Sequence, residues 1–243
     1  EITCRDWSSD VCSSDLLKAG AIQTRIVGAS VNLKGLHMAS DSHFNRKSFT
    51  TGHTGFGIPF AVWPDRSDVP RSAARPLRYM DRYVTVCQGE VFYMTEALAR
   101  MEGLERGPAG NTSLAAAFSL AQELPDDHIV VVQETEYTGA GKHVQAQLSF
   151  ARANGITILR GNPIDEIPGT NIILPEHPEQ IEARDVDLNR LRRSYILKAA
   201  ETSGIARPSE LDIQFLAEDT KTEPSFVMDV MPDIRPACAS SPG

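Results

Sequence analysis

A turn of small and hydroxyl-bearing residues, Thr138-Gly-Ala-Gly-Lys142, follows an apolar run and precedes a helical pattern. Small residues let a backbone approach a ligand closely, and free N–H groups at a helix start can bind an anion or an aromatic edge. The turn does not match a P-loop, which needs glycine at position 136 and serine or threonine at position 143, where this chain has Glu136 and His143. By itself the turn therefore fits either a ligand site or an ordinary strand-to-helix connection.

The segment Ser48–Gly57 also has the composition of a ligand-binding loop. It places Thr51 and His53 among three glycines, together with further hydroxyl-bearing side chains. Hydroxyl and imidazole groups on a glycine-rich loop can contact a polar substrate, and the same composition is typical of a mobile loop. The residues alone leave both interpretations open.

A third segment, Gly107–Ser113, is a turn of small residues that contains Gly110. It precedes an alanine-rich helical pattern, and Asn111 or Thr112 is predicted to cap that helix through its side chain. Taken alone, the turn fits a ligand-contacting loop or a simple helix cap.

The elements that must position these loops follow an α/β order. The run His128–Gln133 is continuously apolar in its centre, which is typical of a strand buried on both faces of a parallel sheet. We therefore predict an α/β fold with a mostly parallel sheet and flanking helices. The other predicted strands are Ala21–Ser30, Val84–Cys87 and Ile156–Leu159, and the predicted helices are Glu90–Met101, an alanine-rich helix to Leu124, Lys142–Ala153, Asp185–Ala200 and Glu210–Glu218.

Composition narrows the function classes. The chain has 243 residues, with 24 Lys and Arg against 32 Asp and Glu, so its formal charge is −8. An acidic protein is a poor nucleic-acid binder, and no apolar run approaches the roughly 18 residues of a membrane span. The four cysteines show no metal-binding or disulfide spacing, so we expect a reduced, cytoplasmic protein without a metal. Cys87 is predicted to be a buried, unreactive thiol.

Residues 1–15 are rich in serine and aspartate and have neither a helical nor a strand period. They resemble the conceptual translation of a sequencing-library adapter, and a disordered tail is the alternative. We treat them as non-native, and we expect the natural protein to continue upstream of Leu16.

The order of these segments resembles the closing half of a fold-type II pyridoxal-phosphate enzyme. Threonine synthases, threonine dehydratases and tryptophan synthase β chains share a helix that reaches a Glu-Gly turn, a Pro-Ser/Ala-Gly loop, a strand and a Ser/Thr-Gly-x-Gly turn. The matching segments here are, in the same order, the helical pattern that ends at Gly103, the loop Gly107–Ser113, the strand Ile129–Val132 and the turn Thr138–Lys142. The resemblance implies a partial large domain over residues 16–200, with a C-terminal helix and a disordered tail over 201–243.

Within that superfamily, Arg46–Gly57 and Gln133–His143 resemble the β subunit of 2-amino-4-oxopentanoate thiolases, and the resemblance spans about residues 16–220. It implies a reaction of ornithine degradation, in which 2-amino-4-oxopentanoate and coenzyme A give acetyl-CoA and alanine. It also implies pyridoxal 5'-phosphate as the cofactor and a small α subunit as the partner. A lyase or synthase of the threonine synthase type and a non-catalytic partner subunit are the alternatives.

The resemblance also assigns residues. Thr138 matches the family's Ser/Thr that bonds the pyridine nitrogen, with Gly139 and Gly110 beside the cofactor; Thr135, three residues earlier, is the alternative to Thr138. Thr51 and His53, on the glycine-rich loop Ser48–Gly57, are the predicted substrate-binding residues. The Schiff-base lysine and the phosphate loop belong to the front half of the family's domain, and Lys47 is interpreted as a surface lysine. No catalytic residue is therefore assigned within this chain, and the chain alone is expected to be inactive.

Overall fold

The structure is a computed structural model that describes residues 24–32, 75–133, 143–205 and 207–231. The described residues fall into two compact units: unit 1 contains residues 24–27, 75–82, 187–205 and 207–231, and unit 2 contains residues 28–32, 83–133 and 143–186. The strands are β1 (Val27–Val31), β2 (Arg82–Val86), β3 (Thr157–Arg160), β4 (Asn171–Leu174) and β5 (Arg184–Asp185). The helices are α1 (Gln88–Glu102), α2 (Asn111–Ala121), α3 (Val144–Ala153), α4 (Leu188–Thr202), α5 (Glu210–Thr220) and α6 (Pro224–Val230). The predicted α/β class is confirmed, whereas the predicted boundary at residue 200 stays a prediction.

One sheet has the strand order β1-β2-β5. The amide of Asp81 donates to the carbonyl of Ile26, and the amide of Asn32 donates to the carbonyl of Val86, so β1 and β2 run in the same direction. β2 and β5 pair antiparallel, with Thr85 opposite Arg184. Strand β2 therefore has a parallel neighbour, β1, on one side and an antiparallel neighbour, β5, on the other.

The side chains that cover this sheet come from the two helices that follow β2. Helix α1 ends at Gly103, which adopts the left-handed conformation with φ 67°, as predicted for a glycine after a helix end. The helices α1 and α2 pack against each other and bury a cluster of small and branched side chains. The cluster consists of Val31, Val84, Val86, Val91, Met94, Ala115, Ala116, Leu120 and Ile181.

A second core in unit 2 lies between α1, α3 and a two-stranded parallel sheet. Strands β3 and β4 pair in parallel from Thr157 opposite Asn171 to Arg160 opposite Leu174. Phe92 of α1 is fully buried, and α1 also packs directly on β4. The buried members of this core are Phe92, Val144, Leu148, Ala151, Ile156 and Ile172.

In unit 1, helices α4, α5 and α6 bury a small apolar core of their own. Its members are Ile196, Leu216, Ala217, Val227 and Val230. The side chains of Asp187 and Ser209 cap α4 and α5 by accepting bonds from the backbone amides of Asn189 and Asp212. Helix α6 is not predicted by the sequence patterns, because it lies in the proline-containing segment assigned to the tail, although proline is well suited to the first position of a helix.

The prediction that His128–Gln133 is a buried strand was wrong. These residues belong to no strand in the described part of the chain, and Ile129 and Val131 are 89% and 87% exposed. A continuous apolar run becomes a strand buried on both faces only when neighbouring strands pair with it and helices cover both faces of the sheet. Neither described sheet supplies such neighbours to this run, so its side chains face outward.

Candidate functional site

The turn that contains Gly110 leads directly into α2. Gly110 is the residue before the helix and its backbone is helical, so neither Asn111 nor Thr112 caps α2, contrary to prediction. Both lie inside the helix, where the Thr112 hydroxyl donates back to the carbonyl of Pro108 over 3.4 Å. The cap prediction failed because the 108–110 turn already supplies the first backbone bonds of α2.

Those backbone bonds occupy the donors that an anion would need. The amides of Asn111, Thr112 and Ser113 donate to the carbonyls of residues 107, 109 and 110 over 3.2, 3.3 and 3.3 Å. A phosphate binds a helix start through amides that have no other acceptor. The start of α2 is therefore not built as a phosphate site.

Asn111 nevertheless leaves one polar atom without a partner at this point. Its side chain is fully buried, and its amide nitrogen donates to the carbonyl of Arg106 over 3.4 Å, but its Oδ1 has no hydrogen-bond partner among the described residues. A buried oxygen in this state costs free energy unless a donor reaches it. The turn at Gly110 therefore offers a hydrogen-bond acceptor to an N–H or O–H group of a ligand.

Ser113 connects this turn to the segment that sequence analysis singled out. Its hydroxyl lies 2.7 Å from the carbonyl oxygen of Gly110 and 2.9 Å from that of Gln133, and it can donate to one of them at a time. Gln133 is the last described residue before Thr138 and Gly139, which lie outside the described residues, as do Thr51, His53 and the alternative Thr135. Of the predicted site residues, the structure thus places Gly110, whose carbonyl oxygen lies, like that of Gln133, within hydrogen-bond distance of the Ser113 hydroxyl.

A group of buried polar side chains at the start of α1 is not among the residues predicted from the sequence. Glu166, which is 2% exposed, accepts bonds from the amides of Gln88 and Gly89 at the helix start and of Ile173 in β4, each over 3.1 Å. Burial raises the pKa of Glu166 to about 7, although these backbone N–H groups oppose the increase. Its partners lie up to 78 residues away in the chain, so no local pattern identifies this residue.

Glu90 is the second buried carboxylate at this helix start. Its Oε2 accepts the amide of Cys87, and its Oε1 accepts the amide of Glu182 over 3.1 Å and lies 3.5 Å from the guanidinium of Arg184. Burial raises its pKa to about 7, against the effects of the Cys87 amide and of Arg184. Glu90 follows Cys87 by three residues, which is the spacing of a capping box, and that spacing is the local signal that could have identified it.

The predicted burial of Cys87 is confirmed, since the residue is 6% exposed. Its sulfur accepts a weak bond from Arg184 over 3.5 Å, and it lies directly before α1. The thiol is thus part of the polar cluster that fixes the start of α1.

None of the helices in the described ranges combines the length and the apolar character needed to cross a membrane.

Two curated proteins are similar to this chain over most of its length. One, from an unknown prokaryotic organism, is named 2-amino-4-ketopentanoate thiolase beta subunit and is 66% identical over 218 residues, which are 90% of this chain and 46% of that protein. The other carries the same name, comes from Acetoanaerobium sticklandii, and is 66% identical over 220 residues, or 90% of this chain and 47% of the relative. The chain therefore spans about half the length of the curated relatives that it matches.

No protein-family profile matches the chain, and no solved structure is significantly similar to it. Identity of 66% across nine-tenths of the chain confirms the resemblance that the segments Arg46–Gly57 and Gln133–His143 indicated. By its sequence, this chain is similar to the β subunits named 2-amino-4-ketopentanoate thiolase.

Proposed function

We propose that this chain is part of a pyridoxal-phosphate-dependent thiolase that acts on 2-amino-4-oxopentanoate. With coenzyme A, the enzyme would produce acetyl-CoA and alanine, as a cytoplasmic step of ornithine degradation. The observation that carries this proposal is the 66% identity, over 90% of the chain, to proteins that bear the thiolase β-subunit name. The same name supports a partner subunit, which we propose to be a small α subunit.

The described residues fit one side of the proposed cofactor. Gly110 has no side chain to obstruct a flat ring, and the neighbouring Asn111 Oδ1 is buried without a partner among the described residues. The amides at the start of α2 are already bonded, so they do not fit the phosphate. We propose that Gly110 and Gly139 lie beside the ring of the cofactor and that its phosphate is held by residues outside this chain.

Thr138 has the most specific role in this proposal. Its hydroxyl would bond the pyridine nitrogen of the cofactor, whose bound form supplies an electron sink for negative charge on the substrate. A hydroxyl is neutral and does not hold that nitrogen protonated as a carboxylate would. Thr51 and His53 would contact the amino-ketone substrate and orient its C4 carbonyl towards the thiol of coenzyme A. The bond between C3 and C4 would then break, and the acetyl group would pass to the sulfur of coenzyme A. The electron pair left at C3 would take up the proton that the thiol loses, so that C3 becomes the methyl group of alanine.

The reaction can be tested with the full-length protein and its partner subunit. We expect acetyl-CoA and alanine to form in equal amounts from 2-amino-4-oxopentanoate and coenzyme A. Release of ammonia or pyruvate without acetyl-CoA would replace the proposal with an elimination or replacement reaction. We expect the 243-residue chain alone to show no turnover, because it spans only about half the length of its curated relatives, and turnover by the purified chain would contradict this expectation.

Replacing Thr138 with valine in the full-length protein removes the hydroxyl at nearly constant volume. A bond between neutral groups contributes about 0.5–1.5 kcal/mol, so cofactor binding should weaken about 2- to 12-fold. We also expect a shifted cofactor absorption band and slower turnover, with an unchanged melting temperature.

The matched control is Thr135→Val, which removes a hydroxyl three residues earlier in the same segment. Normal spectra in the Thr135 variant and altered spectra in the Thr138 variant would support the assignment. The reverse result would transfer the role to Thr135, and a stability loss with unchanged spectra in Thr138→Val would reduce that residue to a structural part of the turn.

A further inference from the structure

The first backbone amides of α3 have no acceptor among the residues that the structure describes. The helix begins at Val144, and its first bond runs from the amide of Gln147 to the carbonyl of His143 over 3.1 Å. No oxygen of the described residues accepts the amides of Val144, Gln145 or Ala146. His143, which precedes the helix, is extended, and its side chain makes no capping bond. Three amides at this helix end therefore need an acceptor that the described residues do not supply.

The helices α1, α2, α4 and α5 have such acceptors at their starts. The first amides of α1 donate to the carboxylates of Glu90 and Glu166, and those of α2 donate to the carbonyls of the preceding turn. The side chains of Asp187 and Ser209 accept amides at the starts of α4 and α5. The first turn of α3, by contrast, carries no acidic side chain. The positive end of the α3 dipole is therefore not balanced by an acidic residue of its own first turn.

A buried side-chain donor lies at the same end of α3. Gln147 is 2% exposed, and its Nε2 has no hydrogen-bond partner among the described residues. Side chains on a helix tilt towards its N-terminus, so a residue covers the turn that precedes its own position. Gln147 follows His143 by four residues and Val144 by three, and its amide group therefore lies against the first turn of α3. Since a buried donor without an acceptor costs free energy, this nitrogen points to a ligand that accepts its bond.

The packing of α3 on α1 holds this arrangement in place. The two helices share the core around Phe92, which fixes the rotation of α3 and keeps Gln147 on its buried side. On the exposed side, the side chain of Gln145 donates to Oε1 of Glu96 over 2.9 Å. The Oε2 of Glu96 accepts a bond from Arg100 over 3.3 Å. The carboxylate that bonds this helix end is thus already paired with a cation, and its repulsion of an anion is reduced.

We propose that the start of α3 binds an oxyanion of a ligand, a carboxylate or a phosphate group, through the amides of residues 144–146 and the Nε2 of Gln147. All four groups are N–H donors, so they fit oxygens that accept without donating, as those of an ionised carboxylate or phosphate do. For the source of the oxyanion, the inference rests on the proposed function, whose reactants carry both kinds of group. These are the carboxylate of 2-amino-4-oxopentanoate and the phosphates of coenzyme A.

Titration of the isotope-labelled 243-residue chain with inorganic phosphate and with acetate, at constant ionic strength, tests the site without any reaction. With at least one of these anions, we expect saturable changes in the NMR signals of the Gln145 and Ala146 amides and of the side-chain NH₂ group of Gln147. The amides at the start of α2, which already have acceptors, should not change. No saturable change with either anion, or equal changes at α2, would overturn the proposal, and this result needs no variant.

Gln147→Met removes the buried donor from the same chain and keeps a side chain of similar size. Loss of a hydrogen bond to an anion should weaken binding of the anion about 10- to 150-fold. The melting temperature without anion should not fall, because the donor that is removed has no partner. The matched control Gln145→Met changes an exposed glutamine of the same turn and should leave anion binding unchanged. A lower melting temperature with unchanged anion binding in Gln147→Met would make Gln147 purely structural and overturn the proposal.

Steady-state kinetics of the full-length protein with its partner subunit distinguish the two sources. Gln147→Met should raise the KM for 2-amino-4-oxopentanoate alone if the site holds the substrate carboxylate, and the KM for coenzyme A alone if it holds a phosphate. Unchanged KM values for both reactants would overturn the assignment to either source. Failure of the native enzyme to form acetyl-CoA would contradict the proposed function, whereas the phosphate and acetate titrations would still decide whether α3 binds an oxyanion.

Discussion

Gly89→Ala is expected to cost about 4–5 kcal/mol of the free energy of unfolding, a large part of the total for a domain. A Cβ atom at this position would lie 1.7 Å from the carbonyl oxygen of Ile173 and 2.4 Å from its carbonyl carbon. Both atoms are backbone, so α1 must move away from β4, and this movement also weakens the bond from the Gly89 amide to Glu166. Denaturant unfolding monitored by circular dichroism measures the loss.

Gly169→Ala provides the matched control. Gly169 has a φ of 82°, and a Cβ atom added there would have no atom of the described residues within 4 Å, so alanine meets backbone strain without a clash. The expected loss is about 1–2 kcal/mol. Equal losses at the two glycines would contradict the close approach of α1 to β4.

Phe92→Ala is expected to cost about 3–5 kcal/mol, because it removes a large side chain that is fully buried between α1, α3 and β4. The residues around it, which include Leu148 and Ile172, are held by their own elements and can only partly fill the space. Denaturant unfolding monitored by circular dichroism measures this loss of the free energy of unfolding.

Met101→Ala is the control on the same helix. Met101 is 80% exposed, so its truncation should change stability by no more than about 0.5 kcal/mol. A small effect at Phe92 would indicate that this core is loosely packed and that α1 is not anchored by it.

Local patterns predicted most of the elements around the candidate site. The apolar period of Glu90–Met101 and the glycine that follows it predicted α1, and the observed helix extends only a residue or two further at each end. The strand prediction Val84–Cys87 overlaps β2 by three residues. These signals lie within the element itself, which explains why sequence analysis could detect them.

Features that depend on distant partners were not predicted. β4 consists of four residues and is defined by its pairing with β3, which no local period reveals. His128–Gln133 has the composition of a buried strand, but burial depends on neighbouring strands. At the candidate site, the sequence identified the turn at Gly110 but not the unpartnered oxygen of Asn111, because that state depends on how the turn is bonded within the described residues.

The polar contacts at the start of α1 also govern how quickly this unit can fold. Glu166 binds an amide 78 residues earlier in the chain, Glu182 donates to a side chain 92 residues earlier, and Arg184 accepts a bond from a hydroxyl 99 residues earlier. Closing such long loops loses chain entropy before any contact compensates for it, so folding of this region should be slow. At about 5–20 residues per second, the ribosome needs about 5–20 s to synthesise the 99 residues that separate Arg184 from Thr85. During that interval the nascent chain carries the start of α1 with its amides unbonded to Glu166 and its packing surface for β4 uncovered.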